Sequence, residues 1–204
     1  PDLPQRLIGQ FATTPPLELA AVLLGIGYIV LAIRRRRACW ILGGLSTALY
    51  IVVFVEARLY LQGLLQVAYV GLAVYGWRQW TAAAGVAQIA PRRWPAARHL
   101  PAVAAVVAAA AVTAPLLARF TDAAVPWGDA LGTWASVVAT YLMAQRVAEH
   151  WLWWIVIDLG LAGLFASQGL APTALLYAGF AILAVAGYVA WWRAEAASPR
   201  PGPQ

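Results

Sequence analysis

Charge is scarce in this chain. Only 11% of its 204 residues are charged, against roughly 25% in a soluble domain. Lysine is absent, so all 14 basic residues are arginine. Cysteine occurs once, at Cys39, which excludes a disulfide framework and a cysteine metal cluster and leaves a small apolar packing residue. The two histidines, His99 and His150, read as loop residues too far apart to form a site. No span is expected to hold a histidine, and neither HExxH nor GxSxG occurs. Catalysis needs a nucleophile with a base in reach, or a metal, so no enzyme, metal or cofactor is expected. The net charge of +6 forms no basic face interleaved with aromatics, which excludes nucleic acid as a partner. The opening PDLPQRLIGQF lacks a charged n-region and a cleavage site, so no signal peptide is expected in it.

Apolar residues are abundant. They make up 63% of the chain, and the mean hydropathy is +0.72. Apolar segments of about 18 residues or more read as transmembrane helices. Seven such helices are expected, over 16–33, 38–55, 59–77, 100–118, 128–144, 151–167 and 170–192. The fold class is an all-α membrane protein, with the lipid bilayer as its surroundings. Cytoplasmic loops are enriched in arginine and lysine. Arg34 to Arg37, Arg78, Arg92, Arg93, Arg98, Arg146, Arg193 and Arg200 all fall on one side, and only Arg6, Arg58 and Arg119 on the other. The N-terminus is therefore expected outside and the C-terminus inside, as an odd number of spans requires. Arg58 and Glu56 are expected to form a snorkelling interfacial pair. Glu18 and Asp129 sit at outer helix N-termini, where a solvated acidic residue is favourable.

A shift of 111 residues lays the first three spans on the last three without a gap. Trp40 falls on Trp151, Gly76 on Gly187, Trp80 on Trp191 and Arg35 on Arg146. The expected architecture is 3+1+3: two parallel three-helix repeats joined by one linker helix. The organisation is then a tail (1–15), a first bundle (16–80), a connecting region (81–127) holding a cytoplasmic loop, the linker helix 100–118 and an outer loop, a second bundle (128–192) and a cytoplasmic tail (193–204). Parallel repeats place a substrate site near the midplane between the halves.

Asp158 stands inside WLWWIVIDLG (151–160). An aspartate at the centre of a span costs roughly 2.5–3.5 kcal/mol even on lenient scales, so it should face the protein interior. Trp151, Trp154 and Asp158 have spacing i, i+3, i+7 and share a helix face. Two indoles and a carboxylate on one stripe can stack on a flat ring and hold a positive charge or a ring donor. The competing reading makes Asp158 a hydrogen-bond partner of a neighbouring helix and the tryptophans an interfacial belt; Trp151, at the end of its span, fits either. In the third span Gln62, Gln66 and Tyr69 share a face, with Gln66 deepest. The shift places Gln66 on Tyr177 and Thr47 on Asp158.

LYLQGLLQVAYVGLAVYGWRQW (59–80) and EHWLWWIVIDLGLAGLFASQG (149–169) resemble the third- and sixth-helix motifs of the PnuC family of bacterial vitamin transporters, and ALLYAGFAILAVAGYVAW (174–191) resembles its last helix. The likeness covers most of 17–193. It implies a seven-helix fold like that of SWEET sugar transporters, in the bacterial inner membrane. It also implies uptake of nicotinamide riboside by facilitated diffusion with trapping by a cytoplasmic kinase, and a homo-oligomer, a trimer. Thiamine or riboflavin carriage is the alternative within the family. The positions matching its substrate site are Gln66, Tyr69, Trp151, Trp154, Asp158 and Tyr177, with Gln62, Ser46 and Thr47 as weaker candidates. Asp158 and Ser46 stand where nicotinamide riboside carriers typically have Asn. A carboxylate suits the cationic ring of nicotinamide riboside or thiamine, and neutral riboflavin gains least from it. A non-transporting receptor or assembly protein would not need a polar cavity between repeats.

Overall fold

A computed structural model describes residues 16–56, 60–82, 89–121, 125–167 and 171–196. They form seven α-helices: α1 (Pro16–Ile33), α2 (Cys39–Glu56), α3 (Tyr60–Ala82), α4 (Ala96–Phe120), α5 (Pro126–Ala144), α6 (His150–Ser167) and α7 (Ala171–Ala196). The N-terminal tail and Arg58, with its expected pairing to Glu56, lie outside the described residues.

Five helices, α1, α2, α4, α6 and α7, are long and apolar enough to cross a membrane. The seven spans expected from sequence include two, α3 and α5, that fall short of that composition. These two pack against each other. Tyr75 stacks on Tyr141, with ring centroids 6.0 Å apart. The Tyr75 hydroxyl accepts from the Gln145 side chain, just past the end of α5, and from Gln79 at 2.8 Å. The two least apolar helices thus satisfy part of their polarity at a shared seam, as a lipid environment requires. Large apolar side chains such as Leu64, Val156 and Ile182 stand exposed on the outer wall.

Helix α4 starts at Ala96, earlier than the expected 100, and contains Pro101 and Pro115. His99 therefore belongs to a helix. So does His150, the first residue of α6. The loop placement expected for both is corrected: each helix continues through polar residues that a hydropathy reading assigns to the preceding loop.

Helix neighbours follow a cycle. α1 packs on α2, α2 on α3, α3 on α5, α5 on α6, α6 on α7 and α7 back on α1, with α4 outside against α5. Six helices thus enclose an interior. At its arginine-rich end, positions related by the 111-residue shift make matching contacts. A Cβ at Gly76 would overlap the Trp40 ring, and one at Gly187 would lie 2.6 Å from Trp151. Trp80 Nε1 donates to the Met143 carbonyl at 3.2 Å, and Trp191 Nε1 donates to the Ala32 carbonyl at 2.9 Å. Each indole reaches the carbonyl at the end of the opposite half's first helix, and Ala32 and Met143 are themselves related by the shift.

The turns ending α1 and α5 match as well. Arg35 and Arg146 take positive φ values, 56° and 65°. Arg36 N–H bonds the Leu31 carbonyl and Val147 N–H that of Leu142, at 2.9 and 3.0 Å. These are left-handed helix terminations, which usually use glycine. The segment after α3 ties both turns together. Ile89 N–H donates to the Arg35 carbonyl at 3.2 Å, Arg92 N–H donates to the Arg146 carbonyl at 2.7 Å, and the Arg92 carbonyl accepts from Ala148 N–H at 2.8 Å. Arg93 pairs with Glu149 at 3.2 Å, and Glu149 also accepts from Trp94 N–H at 3.1 Å.

Candidate functional site

A cavity of about 530 Å³ lies between α1, α6 and α7, with Tyr50 of α2 and Met143 of α5 also in its lining. Helix α1 supplies a smooth wall through Ala21, Val22, Gly25 and Ile29, and Tyr50 reaches in from α2. Glycine at 25 matters here: its missing Cβ would meet the Ser46 hydroxyl oxygen at 3.4 Å, so α2 can approach α1 closely behind this wall. Helices α6 and α7 supply the aromatic and polar groups.

Four of the six residues expected at the site line this cavity: Trp151, Trp154, Asp158 and Tyr177. Asp158 is only 6% exposed. Among the described residues no side chain or backbone group hydrogen-bonds or ion-pairs with its carboxylate. The reading of Asp158 as a hydrogen-bond partner of a neighbouring helix therefore finds no support. Tyr177 is held by a stack on Phe165, with centroids 5.4 Å apart and planes 13° apart, and by an edge contact to Phe180. Trp151 is buried on Gly187 with its edge toward Trp191, centroids 6.2 Å apart. That enclosed position distinguishes it from a tryptophan of an interfacial belt.

The other expected residues sit elsewhere. Gln66 and Tyr69, both half-buried, are not in the cavity wall. Tyr69 faces Ser136 across the α3–α5 seam and lies within electrostatic reach of Tyr28, which does line the cavity. The Ser46 hydroxyl donates to the Ala21 carbonyl at 2.8 Å, joining α2 to the cavity wall. Thr47 donates back to its own helix, to Gly43 and Gly44. The Gln62 side chain lies outside the described residues.

Two residues on the cavity wall were missed from the sequence. Tyr28 donates from its hydroxyl to Met143 Sδ at 3.0 Å, closing α1 against α5. His150 is fully buried between Trp151 and Trp191, with centroids 4.6 and 4.8 Å away. The signal for His150 was its place immediately before the WLWW run. Ala32 and Met143, whose carbonyls accept the crossed indole bonds, also line the cavity. The tryptophan layer therefore lies directly beneath it, at the arginine-rich end.

Such a cavity can hold a flat, partly polar molecule between aromatic rings beside one carboxylate. The sequence profile of the nicotinamide mononucleotide transporter family matches residues 15–193. The chain belongs to this family. Its members are membrane transporters, and the chain is not an enzyme. The chain is 30% identical over 188 residues to the riboflavin/roseoflavin transporter RibM of Streptomyces davaonensis, covering 86% of this chain and 85% of that one. It is 26% identical over 201 residues to the nicotinamide riboside transporter PnuC of Escherichia coli K12, covering 86% and 84%. The crystal structure of the vitamin B3 transporter PnuC shares the fold, with a TM-score of 0.73 at 24% identity over 94% of this chain and 87% of that one. The family thus agrees with the resemblance read from the motifs at 59–80 and 149–169.

Proposed function

We propose that this family member carries nicotinamide riboside across the bacterial inner membrane by facilitated diffusion, with a cytoplasmic kinase trapping the product. The observation that carries this reading is Asp158: a buried carboxylate with no hydrogen-bond or ion-pair partner among the described residues, in a cavity it shares with Trp154 and Tyr177. An uncompensated charge in such a place is costly, and a cationic ring lying between aromatics would offset that cost. Asp158 would hold the ring, Trp154 and Tyr177 would stack on it, and Trp151 would close the cavity below. Gln66 and Tyr69 would join from the seam side when the halves move. The matching contacts at shift-related positions support a 3+1+3 arrangement of parallel repeats, as in SWEET transporters, with the halves rocking about the crossed tryptophan layer. The arginine distribution supports an N-terminus outside and a C-terminus inside, so this layer closes the cytoplasmic end. A trimer is the proposed assembly.

Likeness to RibM favours one second reading, riboflavin carriage. Uptake of labelled nicotinamide riboside, thiamine and riboflavin into empty liposomes decides between them. Equilibration of nicotinamide riboside without accumulation is expected. Uptake of riboflavin alone would transfer the function to the second reading. Accumulation above the outside level under a proton or sodium gradient would refute facilitated diffusion, and uptake of none would leave a receptor or assembly role.

A further inference from the structure

The cavity floor holds polar atoms that nothing among the described residues satisfies. His150 is fully buried and lines the cavity. Its Nδ1 lies 2.7 Å from the Val147 carbonyl. A carbonyl only accepts, so Nδ1 carries the proton, and the neutral ring leaves Nε2 as a bare acceptor. Nε2 has no partner among the described residues. Trp151 Nε1, a donor on the adjacent residue and in the same cavity wall, has none either. Buried polar groups are satisfied in the great majority of cases. An unpaired acceptor beside an unpaired donor is therefore complementary to a group that both donates and accepts.

A hydroxyl is such a group. Asp158 lies eight residues beyond His150 in α6, about 12 Å along the axis. The cavity thus presents a carboxylate at one level, and about two turns away a neutral acceptor and a donor lie just beneath its lining, with almost no accessible surface. A molecule spanning both carries a cationic or ring donor at one end and hydroxyls at the other. We propose that His150 is a specificity-determining residue, which accepts a hydrogen bond from a sugar or sugar-alcohol hydroxyl of the substrate while Trp151 Nε1 donates to the same group. This rests on the reading of the cavity as a vitamin site, but not on which vitamin fills it. The ribose of nicotinamide riboside and the ribityl chain of riboflavin both present the required hydroxyls.

The test is titration calorimetry on the purified full chain with nicotinamide riboside and with riboflavin, alongside thermal melting without ligand. His150→Phe keeps an aromatic ring between Trp151 and Trp191 but removes the acceptor. His150→Gln keeps an acceptor. For whichever vitamin the wild type binds, His150→Phe should weaken affinity about tenfold, and His150→Gln should recover most of it. The ligand-free melting temperature of His150→Phe should stay level or rise, because an unsatisfied polar atom has gone. Unchanged affinity in His150→Phe overturns the proposal. So does a loss of affinity in both variants together with a lowered ligand-free melting temperature, which would mark a packing role. Failure of the wild type to bind either vitamin would overturn this proposal, and failure to bind thiamine as well would overturn the vitamin-site reading. Binding of riboflavin alone would overturn only the choice of nicotinamide riboside, and the His150 comparison would then be read on riboflavin.

Discussion

Replacing Asp158 separates a ligand carboxylate from a structural one, because the two roles move stability and affinity in different directions. The group is 6% exposed, and it makes no hydrogen bond or ion pair with any described residue. Its removal therefore takes no stabilising contact from the folded chain and relieves the cost of a buried charge. The ligand-free protein should melt at the same temperature or higher as Asp158→Ala. In the complex, the carboxylate would make one charge-assisted hydrogen bond or ion contact, worth roughly 1.5–3 kcal/mol. Losing it corresponds to about a tenfold to hundredfold loss of affinity. Asp158→Asn should fall between, since its amide can still accept and is the residue that resembling nicotinamide riboside carriers use. Calorimetric titration and ligand-free melting on the same preparations read both effects. Wild-type affinity in Asp158→Ala, or lost affinity matched by a lowered melting temperature, would refute the reasoning and return Asp158 to a structural role.

Other outcomes follow from the packing. Gly187→Ala should lower the melting temperature, because its Cβ would lie 2.6 Å from Trp151 and overpacking costs about 1–3 kcal/mol; Gly160→Ala, whose Cβ meets nothing within 4 Å, should be neutral or slightly stabilising. Glu149→Gln should weaken the tie between the α3–α4 connection and the start of α6, since the 8%-exposed Glu149 holds both Arg93 and Trp94 N–H; faster proteolysis near Arg92 and Arg93 would register the loss. A reporter fused after Arg193 should be active only as a cytoplasmic reporter, and periplasmic activity would overturn the proposed orientation.

The helices were legible because lipid imposes one rule on every outward position. Long apolar runs such as the α1 and α2 segments follow it, and their bounds were read to within a residue. The rule fails where a helix continues through polar residues, which is why α4 was started late and His99 and His150 were placed in loops. The second-half site residues were legible through helical periodicity within α6, a local property. Placing Gln66 and Tyr69 needed knowledge of which helix faces which. Tyr69 belongs to the α3–α5 seam and Gln66 lies off the cavity wall, which is formed mainly by α1, α6 and α7. The arginine turns gave no signal, since a left-handed termination is ordinarily announced by glycine and here carries Arg35 and Arg146. The tryptophan–glycine correspondences were visible as letters. Their meaning, indoles donating across to the opposite half, is a tertiary relation that no local pattern encodes.

The 111-residue shift repeats the frame and leaves the site unrepeated, and this division has a mechanical sense. Positions that build and join the halves occur twice: the Trp40–Gly76 and Trp151–Gly187 contacts and the turns at Arg35 and Arg146 within each half, and the crossed bonds from Trp80 and Trp191 between them. Positions that line the cavity mostly do not, although Trp151 is matched by Trp40 and Ala32 corresponds to Met143. His150 corresponds to Cys39, Trp154 to Gly43, Asp158 to Thr47 and Tyr177 to Gln66. In the first half Tyr28 packs onto Gly43, with a built Cβ only 2.8 Å from the Tyr28 ring; in the second half the counterpart of Tyr28 is Ala139 and the large ring is Trp154. Bulk has been exchanged between partner helices, so one half fills the interior from α1 and the other offers an indole from α6. A molecule with a ring at one end and hydroxyls at the other has no symmetry to match, and it is best bound by one set of polar groups. In the proposed 3+1+3 arrangement, a repeated frame would still let the two halves move as similar bodies about their crossed bonds. Weakening those bonds evenly, with Trp80→Phe and Trp191→Phe together, should therefore change transport rate more than affinity. An equal fall in affinity would mean that the frame and the site are not separate.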